Sequence, residues 1–367
     1  MTEAELREYI RAIRPADRAA MDDARRRQAE LAKPPGSLGE LETISLRLAG
    51  ITGQVCPRMD RCRVAVFAAD NGVVREGVSC APQSVTLRQA VNMTRRCTGM
   101  SAMAAAFGDD VAVVDVGIDG DVPPVGILNR KVHRGTGDIA VEDAMTRAEA
   151  LAALAAGMEQ AALAAAGGVT ALGVGEMGIG NTSTSAAVLS ALTGADIETV
   201  TGRGGGLTDE GFLRKKNVLR RALARREIHS GDVLDVLCAV GGLDIAAMTG
   251  AFLGCAHARV PAVVDGFIST VAALCAVRLC PAVGDFLFLS HDSYEVGYRL
   301  AARELGLTPC LRLGMRLGEG SGCPLLFRVL EGACGVMRGM ATFREAAIQD
   351  DYLDEIRAGD GFTVDKS

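Results

Sequence analysis

The 367-residue sequence has no tryptophan, and aromatic residues make up only 4% of it. A surface that stacks successive nucleic-acid bases needs such rings, and a net charge of −6 offers a phosphate backbone little to bind. Nucleic acid is therefore not expected as a partner. His133, His229, His257 and His291 stand far apart, and the eleven cysteines include no C-x-x-C pair. None of the usual metal-ligand spacings occurs, so neither a metal nor a cofactor is expected. An odd number of scattered cysteines fits reduced thiols in the cytoplasm. Long uncharged apolar runs are missing too, so no membrane span is expected, and the charged N-terminus is unlike a signal peptide.

What is present is an apolar chain, 49% hydrophobic, long enough to bury a large core. Residues 1–50 read as three helical pieces separated by Pro15 and Pro34-Pro35-Gly36, with Thr2-x-x-Glu5 and Ser37-x-x-Glu40 as capping boxes. The loop at 31–39 carries Lys33 and is expected at the surface. From about residue 60 short apolar runs alternate with long helical stretches, which predicts an α/β fold with a mostly parallel sheet. Strands are expected at 63–69, 111–116, 169–172, 261–264, 286–289 and 309–313. Carboxylates follow several of them, among them Asp70, Asp119 and Asp265, which suggests a cleft at the carboxyl edge of the sheet.

Two stretches look like parts of a site. In Arg316-Leu-Gly-Glu-Gly-Ser-Gly322 a lone carboxylate stands between glycines that allow close approach of a ligand. Glu319 is thus a candidate base, although a solvated turn accounts for the motif equally well. In the second stretch, Gly173-x-Gly175-x-x-Gly178 formally matches a dinucleotide fingerprint, with Asp196 at nearly the spacing of a ribose-binding acid. Glu176 inside it would repel a pyrophosphate, however. The hydroxyl-rich Asn181-Thr-Ser-Thr-Ser185 at a helix start suits a single phosphate, leaving Glu176 for ribose hydroxyls or a developing positive charge. The loop at 202–206, with Arg203 and then Lys215, offers further phosphate contacts. A phosphorylated sugar therefore fits better than a dinucleotide.

Taken together, Lys33-Pro-Pro-Gly-Ser-Leu-Gly39, Gly77-Val-Ser79 with Pro82-Gln-Ser-Val-Thr86, Gly175-Glu-Met-Gly-Ile-Gly-Asn-Thr182, Ser290-His291 and Arg316-Leu-Gly-Glu-Gly-Ser-Gly322 resemble the nicotinate-nucleotide:dimethylbenzimidazole phosphoribosyltransferase family, in order, from about residue 31 to 335. The resemblance implies a doubly wound, Rossmann-like parallel sheet in residues 59–334, and a small helical domain from 1–58 plus about 335–367. It also implies a homodimer, and small-molecule partners: nicotinate mononucleotide and a benzimidazole-type base. The activity implied is transfer of 5-phosphoribose to the base, in assembly of the cobalamin nucleotide loop. The family's base falls on Glu319, within a motif that includes Leu317 and Gly318. Glu176, Gly175, Gly178, Gly180, Asn181 and Thr182 fall on the ribose-phosphate site, with Gly202, Arg203, Gly204 and Lys215 as further candidates. Gln89 falls near the acceptor pocket, and Ser290 and His291 belong to the same set.

Cationic nicotinate leaves as a neutral pyridine and needs no general acid, so one base suffices. A dry pocket would raise the pKa of Glu319, and Glu176 would oppose the cationic sugar by charge. Asn71, Cys80 and Cys323-Pro324 differ from the residues usual in the family and are expected beside the acceptor, whose identity the sequence leaves open. Two other readings stand beside this one. A nucleotide-dependent oxidoreductase would use the glycine fingerprint, and a non-catalytic sensor would bind a nucleotide without turnover.

Overall fold

The computed structural model describes residues 1–123, 126–225 and 227–354. Contacts group the chain into two compact units, one of residues 1–14 with 61–326, the other of 15–60 with residues from 327 onward.

Among the described residues the larger unit holds six strands, β1 (Cys62–Ala69), β2 (Asp110–Gly117), β3 (Ile127–Asn129), β4 (Ala171–Met177), β5 (Ala262–Val264) and β6 (Leu287–Leu289). They form one sheet in the order β3-β2-β1-β4-β5-β6, and every pairing is parallel. β4 is buried along its whole length and β1 everywhere but Arg63, as helix-covered parallel strands must be. The order reverses between β1 and β4, the point at which doubly wound folds open a ligand crevice beyond the strand carboxyl ends. The alanine-rich helix Arg147–Ala166 starts at a Thr146–Glu149 capping box. Helix Glu3–Ala12 belongs to this unit: Arg147 bonds both Glu3 and Asp232, at 2.8 and 2.9 Å, and Tyr9 stacks on His257.

The smaller unit contains helices Arg18–Glu30 and Glu40–Thr52, around a buried cluster of Ala24, Leu31, Ala49 and Met337. Lys33 is not a surface cation. It is buried, and its Nζ donates to Glu42 Oε1 at 2.6 Å. Nor does Ser37 cap a helix, because the cap is Gly39 at φ +54°, without a side-chain bond.

Three strand expectations change. β4 runs on to Met177, so Gly173, Gly175 and Glu176 pair with Val64, Val66 and Phe67 of β1 instead of forming a turn. Residues 309–313 form no strand, and only Leu311 bridges His291, since three-residue β6 gives a neighbour little to pair with. β3 was not foreseen, being three residues long with little periodicity to show.

Candidate active site

Beyond the carboxyl ends of β1, β4 and β5 lies a cavity of about 260 Å³. One wall is the loop at 318–322 that leads into helix Cys323–Gly339. Its backbone takes three successive left-handed residues, Gly318 at φ +79°, Glu319 at +64° and Gly320 at +83°. For glutamate that conformation costs roughly 1–2 kcal/mol, so the surroundings must hold it.

Asp265, at the end of β5, does much of the holding. Its two carboxylate oxygens accept the Gly320 and Gly322 N–H groups at 3.0 and 2.7 Å. Burial pushes the Asp265 carboxyl up, while nearby His291 and these N–H groups favour its anion. His291 Nδ1 lies 3.8 Å from Asp265 Oδ1 and 3.0 Å from Ser290 Oγ, and Ser290 Oγ also donates to the Asp265 carbonyl. Glu176 Oε1 accepts the Glu319 N–H at 3.2 Å. A side chain at Gly322 would meet Ser290 Oγ at 2.3 Å. The loop is thus seated on β4, β5 and the end of β6.

The Glu319 side chain is 5% exposed and lines the cavity. Gln89 Nε2 donates to its Oε1 at 3.0 Å, and Asn92 orients Gln89 by donating to the Gln89 Oε1 at 3.1 Å. Glu319 Oε2 is buried and has no partner among the described residues. A buried carboxylate oxygen without a donor is costly and suits a ligand's N–H.

Glu176 lies at the end of β4. Burial raises its carboxyl to about 8, against a bond from Asn181. Burial thus favours its protonated form, whereas the sequence suggested an anion. Lys215 is fully buried, and its Nζ donates to Thr182 Oγ1 at 2.8 Å. Burial lowers its ammonium to about 8, with Glu295 opposing.

The structure brings most of the expected residues to one place. Gln89, Glu176, Leu317, Gly318 and Glu319 line the cavity, as do Gly178, Gly180, Asn181, Thr182, Gly204 and His291. Four support it without lining it: Gly175 packs under the loop, Gly202 against the Glu295 carboxylate, Lys215 behind Thr182 and Ser290 behind His291. Arg203 does not line it, pairing instead with Asp209 and lying over Phe212. Cys80 lines the cavity. Cys323 does not; it is fully buried and its thiol faces the Val263 carbonyl at 3.8 Å. Asn71 is likewise buried and absent from the wall.

Sequence reasoning missed Glu295 and gave no role to Arg316, both of which line the cavity, nor to Asp265 in holding the loop. A carboxylate at the end of a strand was visible there, but its partners lie 55 and 57 residues away, and no spacing rule reaches that far.

A family model described as phosphoribosyltransferase matches residues 13–348. A Clostridium perfringens protein named nicotinate-nucleotide:dimethylbenzimidazole phosphoribosyltransferase is 47% identical over 359 residues, covering 98% of this chain and 99% of its own. One of the same name from Clostridium tetani is 45% identical over 353 residues, 96% and 98% of the two chains. The crystal structure under that name from Thermus thermophilus is 43% identical with a TM-score of 0.86, covering 91% of this chain and 99% of that one.

Proposed function

The chain belongs to the nicotinate-nucleotide:dimethylbenzimidazole phosphoribosyltransferase family, and from that premise we propose how its cavity carries out the transfer. The enzyme moves 5-phosphoribose from nicotinate mononucleotide to dimethylbenzimidazole, a step in building the cobalamin nucleotide loop. The products are nicotinate and α-ribazole 5′-phosphate.

Glu319 is the base. The unpartnered, buried Oε2 carries this reading, because it offers one acceptor and no competing donor to an aromatic N–H. As one benzimidazole nitrogen attacks C1′, the C1′–N bond to the pyridinium breaks and its electron pair returns to the ring, which leaves neutral at nitrogen. Glu319 takes the proton from the other benzimidazole nitrogen. Attack opposite the leaving group inverts the anomeric centre. Gln89 holds Glu319 by Oε1, which keeps Oε2 for the acceptor.

The donor lies across the cavity. Glu176, once ionised, faces the positive charge of the sugar. The open N-terminus of helix Asn181–Thr193, capped by Gly180 with no side-chain bond, and Lys215 through Thr182 hold the phosphate. A dianionic phosphate favours the charged form of the buried lysine. Lys215→Met is expected to raise the KM for nicotinate mononucleotide by roughly 10- to 100-fold, with a smaller effect on that for the base. Steady-state kinetics in both substrates check it, and equal rises would remove Lys215 from the phosphate.

Nicotinate release from nicotinate mononucleotide, followed with a panel of benzimidazoles, purines and phenols, tests the assignment and ranks the acceptors. No release with any of them would sink it. Cys80, alone among the three departures on the cavity wall, is where acceptor choice is read.

A homodimer and a cytoplasmic location complete the proposal. Tyr294, Val296, Leu313 and Leu317 are 55–71% exposed, an apolar set suited to covering by a second copy; a monomeric mass in light scattering would refute that. All eleven cysteines are free thiols, in keeping with a reducing compartment.

A further inference from the structure

Behind Glu176 lies a second buried carboxyl, Asp244, that none of the roles above uses. It stands in the first turn of helix Leu243–Ala258 and is fully buried. The Asn181 amide joins the two acids, its Nδ2 donating to Glu176 Oε2 and, at 3.0 Å, to Asp244 Oδ2. Asp244 Oδ1 takes the Ile245 N–H at 2.9 Å. The carboxylate is wedged between glycines: a Cβ on Gly178 would lie 2.8 Å from Oδ2, and one on Gly242 2.4 Å from Oδ1. Further acids act on the pair, Asp70 at the end of β1 on Asp244 and Asp265 on Glu176, while the Lys215 ammonium is held on Thr182, next in the chain to Asn181. Asn71 and Thr184 complete the polar surroundings, Thr184 donating to Asn71 at 3.4 Å.

We propose that Asp244 is a positioning residue that acts through the Asn181 amide and couples the charge on Glu176 to arrival of the cationic nucleotide, so that Glu176 ionises with the donor bound. This rests on the reading of the cavity as a pyridinium-nucleotide site. Two acids bridged by one amide resist ionising together. Burial raises Asp244 to about 6 and Glu176 to about 8, so at neutral pH Asp244 holds the charge and Glu176 the proton. The incoming pyridinium supplies the missing positive charge. Glu176 then releases its proton to solvent, and the Asn181 N–H is already in place for the new anion.

The sign of each change follows. Removing the Asp244 charge makes Glu176 easier to ionise, which moves the acid limb of the kcat/KM profile to lower pH. Cutting the amide bridge removes a donor from the Glu176 anion and moves the limb to higher pH.

The test is the pH dependence of kcat/KM for nicotinate mononucleotide, measured on the full-length enzyme. Asp244→Asn is expected to shift the acid limb by about one unit toward acid, and Asn181→Leu to shift it toward alkali. A uniform loss at every pH in Asp244→Asn, as a merely structural residue gives, overturns the proposal. Where Asp244→Asn fails to fold, Asp244→Ser takes its place: an acid shift of the limb supports the coupling and an unmoved limb ends it. Glu176→Gln separates the layers. If it keeps both rate and limb, the reading of Glu176 itself falls. If it abolishes the limb while Asp244→Asn leaves it in place, only the role of Asp244 falls.

Discussion

Glu319→Gln is expected to lower kcat by roughly a thousandfold, in the middle of the range for loss of a general base, with the KM for nicotinate mononucleotide nearly unchanged. The substitution is close to isosteric. A glutamine oxygen still accepts from Gln89 Nε2, as Glu319 Oε1 does at 3.0 Å, and the backbone N–H groups that fix the loop through Glu176 and Asp265 are untouched. What disappears is an acceptor basic enough to take a proton at Oε2. Equal falls in kcat and kcat/KM would mark an interaction made only in the transition state. Nicotinate release under saturating base measures it directly. A fall of less than tenfold would move the proton to another acceptor and undo the assignment.

The residue on which this depends was legible early. A carboxylate between glycines, followed by a helix, stood out in the sequence, and its neighbours in the family motif named the chemistry. The sheet was legible too, because buried parallel strands are continuous apolar runs, and 63–69 and 111–116 differ from β1 and β2 by only a residue at one or both ends. What the sequence could not carry was the meaning of the glycines in Gly173-x-Gly175. In a turn and in a buried strand they look alike, and only the packing distinguishes them. The same limit hid Asp265, whose task is to bind backbone N–H groups far along the chain. It also misplaced Lys33, since a cation in a loop reads as solvated until its carboxylate partner is known. The protonation of Glu176 was out of reach for a related reason: it follows from burial and from Asp244, and burial is a property of the assembled fold.

Gly175 offers the sharpest way to separate the loop's position from its chemistry. A methyl group there would stand 2.7 Å from the Gly320 N and Cα and 2.8 Å from the Glu319 carbonyl oxygen. All three are backbone atoms, so no side chain can rotate away. The strand cannot yield either, because Gly175 is paired with Val66 in the middle of the sheet. The loop must therefore lift, carrying Glu319 away from Gln89 and from the acceptor. Overpacking of this kind costs about 1–3 kcal/mol of stability, and displacing a catalytic group by around an ångström costs on the order of a hundredfold in rate. Gly175→Ala is accordingly expected to lose about two orders of magnitude in kcat, with a modest drop in Tm. The control is Gly332→Ala in helix Cys323–Gly339, where an added Cβ meets nothing within 4 Å. It should keep full kcat and gain up to about 1 kcal/mol from helix propensity. Full activity in Gly175→Ala would mean that Glu319 need not be held against β4, and the glycine would then be explained by packing alone.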